Sequence, residues 1–155
     1  MDIYKRLEEL GLAVPELPKP VASYEPAVIY NGLIYSAGQT GTVKQKLVHT
    51  GKLGREVTIE EGKESARLSL LNCLSELEHV LGDLNRIERF VKMTGFVASA
   101  PGFVNQPEVV EGASALLLDI FGDRGAHARS AIGVAELPYN APVEIELTAA
   151  IRSFD

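Results

Sequence analysis

The stretch from Thr58 to Gly82 reads as a long one-sided helix, and any fold open to this chain must cover that side. Thr58-Ile59-Glu60-Glu61 has the form of a capping box, in which the threonine hydroxyl and the glutamate carboxylate satisfy the free N–H groups of a helix start. Behind it Ala66, Leu70, Cys73, Leu74, Leu77, Val80 and Leu81 recur at helical spacing, and Gly82-Asp83 stops the pattern. A second stripe spans Pro107 to Phe121, with Val109, Ala113, Leu116, Leu117 and Ile120 inward and Gly122 beyond. Between the two helices, Ile87 to Ala98 changes to the two-residue period of a strand. Val91, Met93 and Val97 are expected on its inner side, Lys92, Thr94 and Phe96 on its outer side. Two apolar helix faces alternating with strands call for a sheet beneath them.

The remaining segments supply that sheet. AVIY and LIYSAG flank Asn31-Gly32, the strongest short-range signal for a hairpin, since both turn residues tolerate positive φ. Val143 to Ile151 alternates with Val143, Ile145, Leu147 and Ile151 inward and Glu144, Glu146 and Thr148 outward. Arg129 to Glu136 places Ile132 and Val134 on one face and Arg129, Ala131, Gly133 and Ala135 on the other. Residues 39–56 read as an exposed loop or irregular hairpin. A short helix over residues 2–10 carries Ile3, Leu7 and Leu10, and Pro15, Pro18 and Pro20 mark an extended connector after it. The order ββ–α–β–α–β–β predicts an α+β fold, a mixed β-sheet with two helices packed on one face. On the other face, small residues (Ala131, Gly133, Ala135) beside isolated charges suit subunit packing or a cleft. Locally the last two strands read as a hairpin across Leu137 to Pro142.

At 155 residues and 46% hydrophobic, the chain suits a single domain over 1–155 with ample core. Its net charge of −6 argues against nucleic acid as a partner. Cys73 is the sole cysteine, which excludes an intrachain disulfide and a cysteine-based zinc site. His49, His79 and His127 have no ligand spacing, and no metal is expected. No apolar run is long enough for a membrane span, and MDIYKRLEELG is unlike a secretory signal, so a cytoplasmic protein is expected. GQTGTVK lacks P-loop spacing, and GxGxxG, GxSxG and HExxH are missing. Cys73 sits on the apolar stripe as a buried small hydrophobe. His127, in GAHARS, suits a loop role and a site role equally.

The segment RSAIGVAELPYNAPVEIE, Arg129 to Glu146, resembles the C-terminal signature of the Rid family, the YjgF-like reactive-intermediate deaminases formerly called endoribonuclease L-PSP. Tyr24 with Pro26, followed by Ile34-Tyr35-Ser36-Ala37-Gly38-Gln39, resembles that family's N-terminal signature, and the helix-strand-helix between fits in order and length. The longer loop and GAHARSAIGVAELP are similar to a slightly larger branch. The resemblance implies a chorismate-mutase-like fold and a homotrimer with sheets inside, helices outside and a site at each subunit interface. It also implies that the last two strands are not neighbours in the sheet.

Residue by residue, Arg129 matches the family's arginine for a substrate carboxylate, whose planar fork a lysine does not reproduce. Glu144 matches the acidic residue that positions or activates water. Tyr24 matches a pocket tyrosine and Gly38 a pocket backbone position. Ala131 stands where many members carry cysteine, and Glu111 where they often carry asparagine; a glutamate there would repel an anionic substrate if it pointed inward. The implied reaction is hydrolysis of a 2-imino or 2-enamino acid to a 2-keto acid and ammonia. No cofactor is implied, because an imine carbon is already electrophilic. A trimeric carboxylate-binding protein without the chemistry is the alternative, suggested by Ala131 and Glu111. An endoribonuclease comes third, for want of a histidine pair or a basic stripe with stacking aromatics.

Overall fold

The computed structural model describes residues 1–17 and 23–153. Pro18 and Pro20 of the expected connector lie outside them. Helix α1 (Ile3–Glu9) is capped by Asp2, whose carboxylate accepts from the Tyr4 amide at 2.9 Å. Strands β1 (Ala27–Tyr30) and β2 (Leu33–Ser36) form the hairpin, with Asn31 and Gly32 both at positive φ. β3 (Gln39–Thr40), β4 (Thr42–Val43) and β5 (Lys46–Leu47) follow. Next come α2 (Ile59–Leu81), β6 (Ile87–Ala98), α3 (Gln106–Phe121), β7 (Ala128–Val134) and β8 (Val143–Ile151). The main sheet runs β1-β2-β8-β6-β7, with β3 also paired to β8. β6 and β7 are parallel, joined through α3 as a parallel pair requires, and the other pairings are antiparallel.

Both bonds of the capping box form: the Thr58 amide donates to Glu61 at 2.9 Å and the Glu61 amide to the Thr58 hydroxyl at 3.2 Å. Gly82 closes α2 at φ 77°, a left-handed conformation that an L side chain resists. Both long helices pack on one side of the sheet. Leu70, Leu74 and Leu77 of α2 and Val109, Ala113 and Leu117 of α3 bury against Met93, Val97, Val143, Ile145 and Leu147. Ile3 and Leu7 of α1 join the same core. The helices approach each other closely at Gly112, where an added Cβ would lie 2.5 Å from the Lys63 carbonyl oxygen. Because that neighbour is backbone, Gly112→Ala should separate α2 from α3 and destabilise the protein by about 1–3 kcal/mol. A melting temperature within a degree of wild type would contradict this spacing.

Two expectations are corrected and a third is sharpened. Val91 is exposed and Phe90 is buried in its place: the β6–β8 register shifts between Phe90 and Lys92, a bulge that turns one residue outward. Of the loop or irregular hairpin expected over residues 39–56, the structure takes the hairpin form: β4 and β5 pair, and before them Gln39 and Thr40 pair with Ile145 and Glu144. Finally, Ala131 and Gly133 do not share the open face with Glu144. They pair with Gly95 and Val97, on the helix side, whereas Ile132 pairs with Phe96, whose other partner is Glu144. Their small size serves α3: a Cβ on Gly133 would come within 2.7 Å of Gln106 Nε2. The last two strands are separated by β6, as the resemblance implied.

Candidate active site

Arg129 lies near the start of β7, an edge strand, in register with Met93, so its side chain rises towards α3. There Nη1 donates to Glu111 Oε2 at 2.8 Å and to Ser114 Oγ at 3.1 Å. Glu111 and Ser114 are three residues apart on α3, hence on one face. His127 completes the cluster, with Nε2 2.9 Å from Ser114 Oγ and Nδ1 2.6 Å from the Gly125 carbonyl oxygen. A carbonyl only accepts, so neutral His127 carries its proton on Nδ1 and leaves Nε2 to accept from the serine hydroxyl. Ser114 then offers a lone pair to Arg129. Hydrogen bonds therefore fix the guanidinium from one side through Nη1, while Nε and Nη2 have no partner among the described residues. Glu111, Ser114, Leu118, Ala126, His127 and Arg129 line a cleft of about 300 Å³ here.

Glu144 belongs to a second cluster. It pairs with Thr40 of β3 on one side and Phe96 of β6 on the other, and it points to the face away from the helices. Gly38 leaves room for it: a Cβ there would lie 3.0 Å from the Glu144 carboxyl carbon. Burial, reinforced by nearby Glu146, raises the Glu144 carboxyl above the usual carboxylate range. Beneath, on the helix side, Gln39 Nε2 donates to Glu76 Oε1 at 2.7 Å. Glu76 is 1% exposed, its Oε2 has no hydrogen-bond partner among the described residues, and burial pushes its carboxyl up to about 8 despite the bond from Gln39. Burial likewise raises the neighbouring Cys73 thiol.

Of the residues singled out from sequence, the structure joins Arg129 with Glu111 and Gly38 with Glu144. The two groups lie on opposite faces of the sheet, so within one chain the Arg129 and Glu144 side chains point away from each other. Ala131 is half-buried against the core beside Gly95, and Tyr24 is exposed on the segment entering β1. Sequence reasoning missed Ser114 and Glu76. Ser114 was reachable from its three-residue offset to Glu111. Glu76 lies one turn past Asn72 and three residues past Cys73, and a carboxylate beside the apolar stripe of α2 was its signal. Among the described residues, no three or more histidine, cysteine, aspartate or glutamate side chains group to hold a metal, and no helix is long and apolar enough to cross a membrane.

The open face, away from the helices, carries Val28, Tyr30, Tyr35 and Ile132, all more than 40% exposed. Lys92, Thr94, Glu146 and Thr148 lie among them around a smaller cleft of about 170 Å³.

Residues 4–151 match the family described as "YjgF/chorismate_mutase-like, putative endoribonuclease". The chain is 39% identical to protein TCP17 of Trypanosoma cruzi over 95% of this chain and 92% of that protein. It is 41% identical to Atu1372 of Agrobacterium tumefaciens, whose crystal structure superposes with a TM-score of 0.90 over 97% of this chain and 92% of the other. A 2-iminobutanoate/2-iminopropanoate deaminase of Dermatophagoides farinae is 27% identical over 91% of this chain and 95% of its own length.

Proposed function

The chain belongs to the YjgF/chorismate-mutase-like family, and from that premise we propose that it hydrolyses 2-imino or 2-enamino acids to 2-keto acids and ammonia. The observation that carries this reading is the unpartnered Nε–Nη2 edge of Arg129. It is a planar pair of donors, held in place by bonds at Nη1, and it matches the two oxygens of a carboxylate. The deaminase named among the relatives supports the choice of substrate class. Water would add to the imine carbon and the tetrahedral adduct would expel ammonia. Glu144, whose carboxyl holds its proton more tightly than usual, suits the base that takes a proton from water and returns it to the departing nitrogen.

Arg129 and Glu144 face opposite ways in one chain, so this mechanism draws them from different copies. We place the site at the interface of a homotrimer, with the exposed apolar residues of the open face covered by neighbours. At least one of iminopropanoate and a freshly generated 2-imino acid with a cationic side chain should disappear faster with the protein than in buffer alone, and light scattering should give three times the chain mass. A monomer at micromolar concentration, or no acceleration, would overturn the reading. A carboxylate-binding protein without the chemistry is the second reading, favoured by the Glu111–Arg129 pair, and retained keto-acid binding without turnover would select it.

A further inference from the structure

Arg129 does not meet solvent as a lone cation. Its side chain is 23% exposed and already bonded to Glu111, whose own side chain is 58% exposed. Glu111 uses one oxygen, Oε2, on the guanidinium; Oε1 has no partner among the described residues. On the other side of Glu111, Glu60, Lys63, Glu64 and Arg67 line the adjoining groove. Lys63 there is engaged by Glu60 at 3.4 Å and Glu108 at 3.9 Å, and among the described residues neither it nor Arg67 forms an ion pair with Glu111, whose partner is Arg129. The cleft beside Arg129 thus presents one positive and one negative group side by side. Between them and the cleft wall, Leu118 and Ala126 supply a short apolar lining.

A ligand with only a carboxylate would gain Arg129 and face Glu111 within a few ångströms. The attraction to one would be partly offset by repulsion from the other, which sits across the guanidinium and is screened by solvent. A ligand that also carries a cation would use both groups: its carboxylate on the Nε–Nη2 edge, its methylenes along Leu118 and Ala126, its ammonium on Glu111 Oε1.

Resting on the deaminase reading, we propose that Glu111 sets the substrate class, selecting imino acids whose side chain ends in a positive charge, as those formed from diamino acids do.

The test compares 4-aminobutanoate, 5-aminopentanoate and 6-aminohexanoate with hexanoate by calorimetric titration, on wild type and on Glu111→Gln. The best amino acid should bind wild type about threefold to fivefold tighter than hexanoate, the size of one solvent-exposed ion pair. Glu111→Gln should bring the two together by weakening the first and strengthening the second. Glutamine keeps the shape of an exposed side chain, and circular dichroism verifies its fold. Equal or tighter binding of hexanoate by wild type, an unchanged ratio in the variant, or no binding of either ligand would overturn the proposal. Since these ligands carry no imine, the result is separate from the turnover assay: selective binding without imine hydrolysis would sink the deaminase reading and keep the selectivity, whereas hydrolysis without selectivity would do the reverse.

Discussion

Replacing Glu76 with glutamine is expected to remove most of the pH dependence of this protein's stability between pH 5 and 8. The Glu76 carboxyl is raised from 4.5 to about 8 by burial on α2. In the unfolded chain the same group loses its proton near the ordinary value. Between those two points the folded state holds a proton that the unfolded state has released, so stability falls as pH rises, by up to about 1.4 kcal/mol per pH unit. The contribution is complete below the unfolded value and is lost as pH passes through about 8, above which the curve flattens. Across the window this amounts to roughly 3–5 kcal/mol. Glutamine copies the neutral acid and still accepts from Gln39 through its carbonyl oxygen. Wild type and variant should melt together near pH 5, and the variant should melt higher at pH 8. Glu144 is also raised and tilts the curve the same way, but it remains in both proteins, so the difference isolates Glu76. Parallel melting curves at both pH values would show that Glu76 is ionised in the folded protein.

The ease of reading each part of this chain followed the range of the interactions that fix it. Local rules placed α2 because its capping box and Gly82 are written in consecutive residues, and they placed β8 because an unbroken alternation tolerates no other register. Val91 failed because a bulge depends on the partner strand, and nothing within Ile87 to Ala98 announces it. The position of β7 failed locally for the same reason. A six-residue connection suggests a hairpin, whereas the parallel pairing with β6 is decided by where α3 returns the chain; only the family resemblance supplied that information. The sides of β7 were assigned from residue size alone, and size had a second explanation in the close approach of Gln106 to Gly133. At the candidate site, Arg129 and Glu144 came from resemblance. The contact of Arg129 with Ser114 and the relay to His127 join α3 to the start of β7 across the fold, so no local pattern contained them.

Arg129→Lys should lower kcat/KM for imine hydrolysis by about tenfold to a hundredfold, or more, while the fold and the oligomer survive. A lysine ammonium retains the charge but offers no flat pair of donors, so one hydrogen bond to the substrate carboxylate is lost, worth roughly 1.5–3 kcal/mol. It would also fit the anchor poorly, since a guanidinium can bond Glu111 and Ser114 at Nη1 and keep a second edge free, whereas an ammonium must choose. Stability should change little, because Arg129 lines an edge cleft rather than the core; its exposed ion pair with Glu111 contributes at most about 1 kcal/mol. Glu144→Gln provides the contrast. It should slow turnover and leave binding of a keto acid largely intact, because the carboxylate is held by Arg129, which another copy supplies to the same site. The pair of variants therefore separates the two half-sites: a KM-dominated loss for Arg129→Lys and a kcat-dominated loss for Glu144→Gln. If Arg129→Lys hydrolyses imines as fast as wild type, the carboxylate is held elsewhere and the Nε–Nη2 edge is not its receptor.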